Sequence, residues 1–283
     1  VTRDGWEYEP DQRHAELIIQ GLKLEDAKGV SMPCEETQKW REEEDKQELV
    51  ATEMRDFRAI AARANYLAMD RADIQFATKE VCRGMARPTK GDWRKLKRLG
   101  RYLVANARVI TRYPWQGKNA KIEGYTDSDW GGCQKTLRST SGGAMMMGKH
   151  CIKTWSATQK SVTLSSGEAE LVAAVKMSTE VIGLTQLLAD WGVQAEGTVL
   201  TDSAAALGMV KRKGNGKQRH IRVGMLWIQE KEESGEVQYT KVKGELNPAD
   251  LMTKGVLRKT LDTHMDTLRQ ETRQGRAQAG LKL

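Results

Sequence analysis

Three short runs of strand character, residues 121–127, 141–147 and 150–156, follow one another across glycine-containing turns. Strands joined this closely must pair antiparallel, because a parallel return needs a crossover of a dozen residues or more. The following apolar runs are spaced differently. Residues 166–191 carry Leu171, Ala174, Val175, Ser178, Ile182 and Leu188 along one helical stripe, with Gly192 as the stop. A strand at 199–202, a helix at 204–210, a helix at 221–232, a strand at 237–242 and a helix starting at Asn247 complete the series. Strands separated by helices return as parallel crossovers. The expected fold is therefore α/β, a mixed five-stranded sheet of three antiparallel strands and then parallel crossovers, flanked by helices.

The preceding part reads differently. Helical periodicity covers 11–22, 49–67, 74–85 and a segment from Asp92 and Trp93 through Leu103, with Pro88 as punctuation. A Glu-rich stretch at 35–46 interrupts it and reads as a solvated insertion or polar helix. The expected organisation is a mostly helical segment at 1–117, an α/β domain at 118–257 and a basic, weakly packed tail at 258–283. The formal net charge of +8 favours a polyanionic partner. Cys34, Cys82, Cys133 and Cys151 have no CxxC spacing, which favours reduced thiols and an intracellular setting, cytoplasmic or nuclear. No apolar run is read as membrane-spanning, so no membrane partner is expected.

Four acidic residues fall where predicted elements begin or end: Asp127 and Asp202 at strand ends, Glu170 near a helix start, and Asp250 in Asn247-Pro248-Ala249-Asp250. Ligands of such sheets bind beyond the carboxyl ends of parallel strands, where strand order switches. Carboxylates gathered there repel one another and lose water, so a hard divalent cation is the expected companion. Each has a plainer alternative. Asp129 shares a strand face with Asp127. Glu168 competes with Glu170, and helical phase does not separate them. Asp202 could merely precede Ser203 as an N-cap, and Asp250 could complement a helix dipole behind Pro248.

The words around these positions resemble the ribonuclease H domain of copia-type retrotransposon Pol polyproteins. They are Gly124-Tyr125-Thr126-Asp127-Ser128-Asp129-Trp130, Ser139-Thr140-Ser141-Gly142-Gly143, Leu164-Ser165-Ser166-Gly167-Glu168-Ala169-Glu170, Thr201-Asp202-Ser203, His220-Ile221 and Ala249-Asp250-Leu251-Met252-Thr253-Lys254. Earlier, Arg71-Ala72-Asp73-Ile74-Gln75-Phe76-Ala77 and residues 93–103 resemble the thumb and connection region of the reverse transcriptase in the same polyproteins. No Tyr-x-Asp-Asp polymerase motif is present. The resemblance implies a C-terminal piece of such a polyprotein, with a ribonuclease H-like fold in the α/β part.

It also implies that Asp127, Glu170, Asp202 and Asp250 are catalytic and hold two Mg2+ ions, with Mn2+ as a substitute. In that scheme ions about 4 Å apart activate a water and stabilise the leaving oxygen in an in-line displacement. The implied substrate is the RNA strand of an RNA–DNA hybrid, recognised by groove shape and 2′-hydroxyls. Implied partners are the hybrid and other parts of the polyprotein. Nucleic-acid contacts are expected from Ser128 and Ser203 and from the basic run Lys211, Arg212, Lys213, Lys217, Arg219 and His220. Lys95, Lys97, Arg98 and Arg101 form a second basic set. Trp130, Trp155 and Trp227 are read as packing residues, and the Met run 145–147 as a buried strand. Arg222 and Leu226 stand where the family has an acidic residue and a second His. The alternatives to a hybrid-specific ribonuclease are a catalytically inactive remnant that binds nucleic acid or serves as a connection module, and another nuclease or strand-transferase of the same superfold.

Overall fold

The computed structural model describes residues 1–35, 43–117, 121–133, 135–216, 219–221, 223–277 and 280–281. In chain order the elements are β1 (Gly5–Tyr8), α1 (Arg13–Gly21), α2 (Ala51–Leu67), α3 (Ala72–Cys82), α4 (Lys90–Ala105), β2 (Arg108–Pro114), β3 (Lys121–Asp129), β4 (Thr140–Met147), β5 (His150–Thr158) and α5 (Ser166–Asp190). They continue with β6 (Glu196–Thr201), α6 (Ala204–Val210), α7 (Trp227–Glu233), β7 (Gln238–Lys241), α8 (Arg258–Thr267) and β8 (Gln270–Arg273). The chain divides into two units, one of residues 1–2, 6–112 and 254–283, the other of 3–5 and 113–253.

In the first unit, α1 to α4 pack through Ala15, Ile18, Phe57, Ile60, Ala64, Ile74, Leu96, Leu99 and Leu103, all buried. The α4 helix starts two residues before the expected Asp92 because Thr89 forms a capping box. Its hydroxyl accepts from the Asp92 N–H at 3.3 Å, and Asp92 accepts from the Thr89 N–H at 3.1 Å. An ion pair lies at the centre of the packing. The Arg71 guanidinium grips Asp73 with two bonds of 2.9 and 2.6 Å, and the Tyr102 hydroxyl donates to the same carboxylate at 2.9 Å. Arg71 also donates to the Asn106 and Ala107 carbonyls.

In the segment expected to be a loose tail, residues 258–273 are packed. Leu261, Met265 and Leu268 bury one stripe of α8 and its cap, and β8 pairs antiparallel with β2, Arg108 facing Arg273. The i, i+4, i+7 stripe is short and surrounded by charge, which obscured it in the sequence. His264 on the same helix is 1% exposed, and neither ring nitrogen has a hydrogen-bond partner among the described residues.

Burial first, and Lys254 second, hold the His264 pKa below its ordinary value of 6.5. Unfolding therefore lets this imidazole take a proton that the folded state resists. Its contribution is complete above pH 6.5 and is lost as pH falls from there toward the folded-state pKa, at up to about 1.4 kcal/mol per pH unit. Urea titrations of wild type and His264→Leu are expected to diverge below pH 6.5, the variant showing the shallower loss of stability.

The second unit contains the predicted mixed sheet, in the order β5-β4-β3-β6-β7. β3, β4 and β5 run antiparallel, whereas β3 with β6 and β6 with β7 are parallel. Met145 and Met146 are buried, as the apolar run required. The α5 helix lies across β3, β4 and β6, burying Leu171, Ala174, Met177, Val181 and Leu188. The approach is close enough that a Cβ on Gly124 of β3 would stand 2.5 Å from the Met177 side chain.

By length and composition α5 is apolar enough to cross a membrane, a property the sequence reading overlooked. In this fold its apolar face covers the sheet. Two expected helices are shorter than their sequence pattern. Residues 221–232 give a 3-10 turn at Val223–Met225 and then α7, with position 222 outside the described residues. The segment after Asn247 is a 3-10 turn, Pro248–Met252. In the Glu-rich stretch, Glu43–Lys46 forms a 3-10 turn and 36–42 lie outside the described residues. All four cysteines are free.

Candidate active site

The central strand β3 carries Asp127 near its carboxyl end, opposite Gly142 of β4. β6 runs parallel beside it, and its chain continues directly into Asp202. The α5 N-terminus, capped by Ser165, brings Glu170 to the same sheet edge. Asp127, Glu170 and Asp202 each offer an oxygen, and these oxygens all lie within 4.8 Å of one another. Asp127 and Glu170 are buried and Asp202 is half-buried.

Neighbouring groups fix these carboxylates. The Ser128 N–H donates to Glu170 at 3.0 Å, tying α5 to the end of β3. The Thr253 hydroxyl donates to Asp127 and lies 3.2 Å from the Asp250 carbonyl. Gly244 passes so near Asp202 that a Cβ there would stand 3.1 Å from its carboxylate. Charges of one sign at about 4 Å repel by about 4 kcal/mol per pair at an effective dielectric near 20. Three oxygens with this spacing fit a small divalent cation, which takes hard oxygen donors and keeps waters in its other positions.

The structure separates the two ambiguous pairs. Asp129 is not part of the cluster, and its carboxylate lies against the turn at Gly132, where a Cβ would collide with it. Glu168 accepts from the Leu164 N–H at 2.8 Å and from His220 Nε2–H at 3.1 Å. A carboxylate of this kind only accepts, so the Nε2 proton belongs to His220. Asp250 is outside the three-carboxylate cluster. Its turn is nonetheless bound to β3, because the Asn247 side chain donates to the Thr126 carbonyl at 3.0 Å and caps the turn by accepting from the Ala249 N–H. Gly142 permits this seat, since a Cβ there would meet Met252 and Thr253 at 2.7 Å.

Among the expected nucleic-acid contacts, Ser203 uses its hydroxyl to cap α6 by accepting from the Ala206 N–H at 3.1 Å. Lys211 and Arg219 are exposed, Arg212 donates to the Asn215 carbonyl, and Lys213 pairs with Glu233. Gln229 pins the loop by bonding the N–H and the carbonyl of Gly214. Lys217 lies outside the described residues. In the first unit, Lys95 pairs with Asp92, Arg98 with Glu35, and Arg101 donates to the Lys28 carbonyl.

Sequence reasoning missed two supports of the site. Thr253 lay within a matching word but carried no assigned role. Gln159, at the end of β5, donates to Ser141 at 2.8 Å and to the Ala169 carbonyl at 2.9 Å, joining the sheet to α5, and nothing in its local pattern marks it. Trp155 packs in the core with Lys176 over its ring, and Trp227 packs partly against it. Trp130 does not conform to the packing role expected of it, being 52% exposed.

No protein-family model matches the chain. The retrovirus-related Pol polyprotein from transposon TNT 1-94 of Nicotiana tabacum is 28% identical over 255 residues, which is 87% of this chain and 19% of that protein. The corresponding polyprotein from transposon RE2 of Arabidopsis thaliana is 29% identical over 206 residues, 72% of this chain and 14% of that protein. The chain thus spans less than a fifth of the length of these relatives. Among solved structures, LC11-RNase H1, isolated from compost by a metagenomic approach, aligns at 17% identity and a TM-score of 0.39, covering 52% of this chain and 99% of that one. Over most of its length the chain is similar to the retrovirus-related Pol polyproteins of plant transposons.

Proposed function

We propose that this chain hydrolyses the RNA strand of RNA–DNA hybrids in a divalent-metal-dependent reaction, as one part of a transposon Pol polyprotein acting inside the cell. The observation that carries the reading is the convergence of Asp127, Glu170 and Asp202 from a strand, a helix and a second strand, with oxygens within 4.8 Å. Magnesium held by these carboxylates would supply Lewis-acid stabilisation of charge on the scissile phosphate and lower the pKa of an attacking water. The chain's own groups orient that ligand set, Ser128 through its N–H on Glu170 and Thr253 through its hydroxyl on Asp127. Such neighbours hold a ligand in one rotamer and tune its basicity. His220 Nε2 lies 3.1 Å from the carboxylate of Glu168, two residues before Glu170 on α5. Lys211 and Arg219 present positive charge to a polyanion without reading sequence.

The purified chain with magnesium and an end-labelled RNA–DNA hybrid tests this directly, with Asp202→Asn as control. Cleavage of the RNA strand by wild type alone is the expected result, and no cleavage above the control rejects the reading. Equal cleavage of duplex DNA would favour a different nuclease of the superfold. A second reading, an inactive module that still binds hybrids, draws on one observation, the position of Asp250 outside the cluster. It predicts hybrid binding without cleavage in the same experiment.

A further inference from the structure

We propose that Trp130, with the exposed Val162 and Leu164 that flank the Thr163 carbonyl its indole binds, forms an apolar ridge just past the end of β3 that packs against sugar rings of the bound nucleic-acid duplex; this rests on the hybrid-nuclease reading above. Trp130 is 52% exposed, Val162 49% and Leu164 69%. A tryptophan with half its surface in water is ordinarily mobile or covered by a partner. Here it is tethered. Its indole N–H donates to the Thr163 carbonyl at 3.1 Å. Thr163 is itself buried and exchanges a 3.1 Å bond with the buried Ser139, and Ser139 also accepts from the Gly131 N–H. The chain on both sides of the indole is therefore anchored to one buried hydroxyl pair. Such an arrangement keeps the polar end of the ring satisfied and leaves apolar surface for another molecule, the property that enriches tryptophan at interfaces.

The position of the ridge selects its occupant. Trp130 follows Ser128 by two residues, and the Ser128 N–H holds Glu170. Leu164 donates its N–H to Glu168, the carboxylate that also receives His220. The ridge thus shares the β3 end with Asp127 and the α5 N-terminus with Glu170, where a nucleic-acid backbone bound to the cluster would lie. In a duplex the base faces are covered by their neighbours. The apolar surface left for a flat ring is the sugar edge exposed in the shallow minor groove of an A-like helix. This contact adds no charge and reads no base.

The test compares wild type, Trp130→Ala and Trp130→Phe as full chains. Binding of a fluorescein-labelled RNA–DNA hybrid is followed by anisotropy in EDTA over a range of salt, and cleavage kinetics are followed with magnesium. Trp130→Ala is expected to weaken binding and raise KM about tenfold, with a smaller change in kcat, because covering part of one aromatic face is worth about this much. Trp130→Phe is expected to recover most of the loss. The slope of log affinity against log salt should stay that of wild type, since no cation has been removed. Binding by Trp130→Ala within twofold of wild type overturns the proposal, as does a loss that appears equally in Trp130→Phe or that alters the salt slope. If Trp130→Ala melts at a lower temperature, Leu164→Ser, which keeps the indole tether, carries the same binding test. A wild type that binds hybrid without cutting it would defeat the nuclease reading, while the anisotropy comparison would still decide the role of Trp130.

Discussion

Asp127→Asn is expected to lower hybrid cleavage by about 10^3-fold or more, equivalent to about 4 kcal/mol of transition-state stabilisation. The substitution keeps the shape of the side chain and removes one of three negative charges whose oxygens lie within 4.8 Å. An amide is a poor ligand for a hard cation compared with a carboxylate. It also leaves the Thr253 hydroxyl without its charged acceptor. Asp129→Asn is the informative control, because Asp129 sits two residues away on the same strand but outside the cluster. Its cleavage rate is expected to remain within a few-fold of wild type. Single-turnover kinetics on an end-labelled hybrid measure both, and equal losses in the two variants would place the chemistry elsewhere.

Asp73→Ala is expected to cost about 3–5 kcal/mol of folding stability, the largest effect on stability anticipated for this chain. Arg71 and Asp73 are 1% and 4% exposed, and removing the carboxylate strands a buried guanidinium and takes the acceptor from Tyr102. Burial, with the Asp73 charge beside it, keeps the Tyr102 phenol well above its ordinary pKa, so this hydroxyl remains a donor. Urea unfolding measures the loss. The double change Arg71→Met with Asp73→Leu should recover most of it, since replacing both members of a buried pair by apolar groups is often neutral or better. A double variant as unstable as Asp73→Ala would mean that the pair's bonds to the Asn106 and Ala107 carbonyls matter more than its charge balance.

The sheet was legible because its pattern is local. Tight turns enforce antiparallel pairing of β3, β4 and β5, and helices between later strands enforce crossovers, so the mixed antiparallel and parallel character followed from spacing. The length of α5 was legible for the same reason, with Gly192 as the stop. The choice between neighbouring acids was less so. Asp127 and Asp129 share strand parity, and they are distinguished by structure, the Asp129 carboxylate lying against the turn at Gly132 and Asp127 joining the cluster. Glu168 and Glu170 differ by partners that lie far away in sequence, His220 for one and Ser128 for the other. The 3-10 form of Pro248–Met252 depends on Asn247 reaching Thr126, a bond across more than a hundred residues that no window could contain. Trp130 was misjudged because composition gives burial as a tendency of tryptophan, whereas exposure here follows from a tether to Thr163. The α8 stripe was missed because three apolar residues among charges fall below the contrast of a helical pattern.

Thermal unfolding of wild type and Asp127→Asn, with EDTA and with magnesium or manganese, addresses the central claim that the three carboxylates share a cation. In EDTA the variant should melt at the same temperature as wild type or higher, because one repulsion has been removed. Added metal should stabilise wild type, by about 1.4 kcal/mol at tenfold excess over Kd, and leave Asp127→Asn unmoved. A wild-type Tm insensitive to both ions, or an equal gain in the variant, would contradict the account.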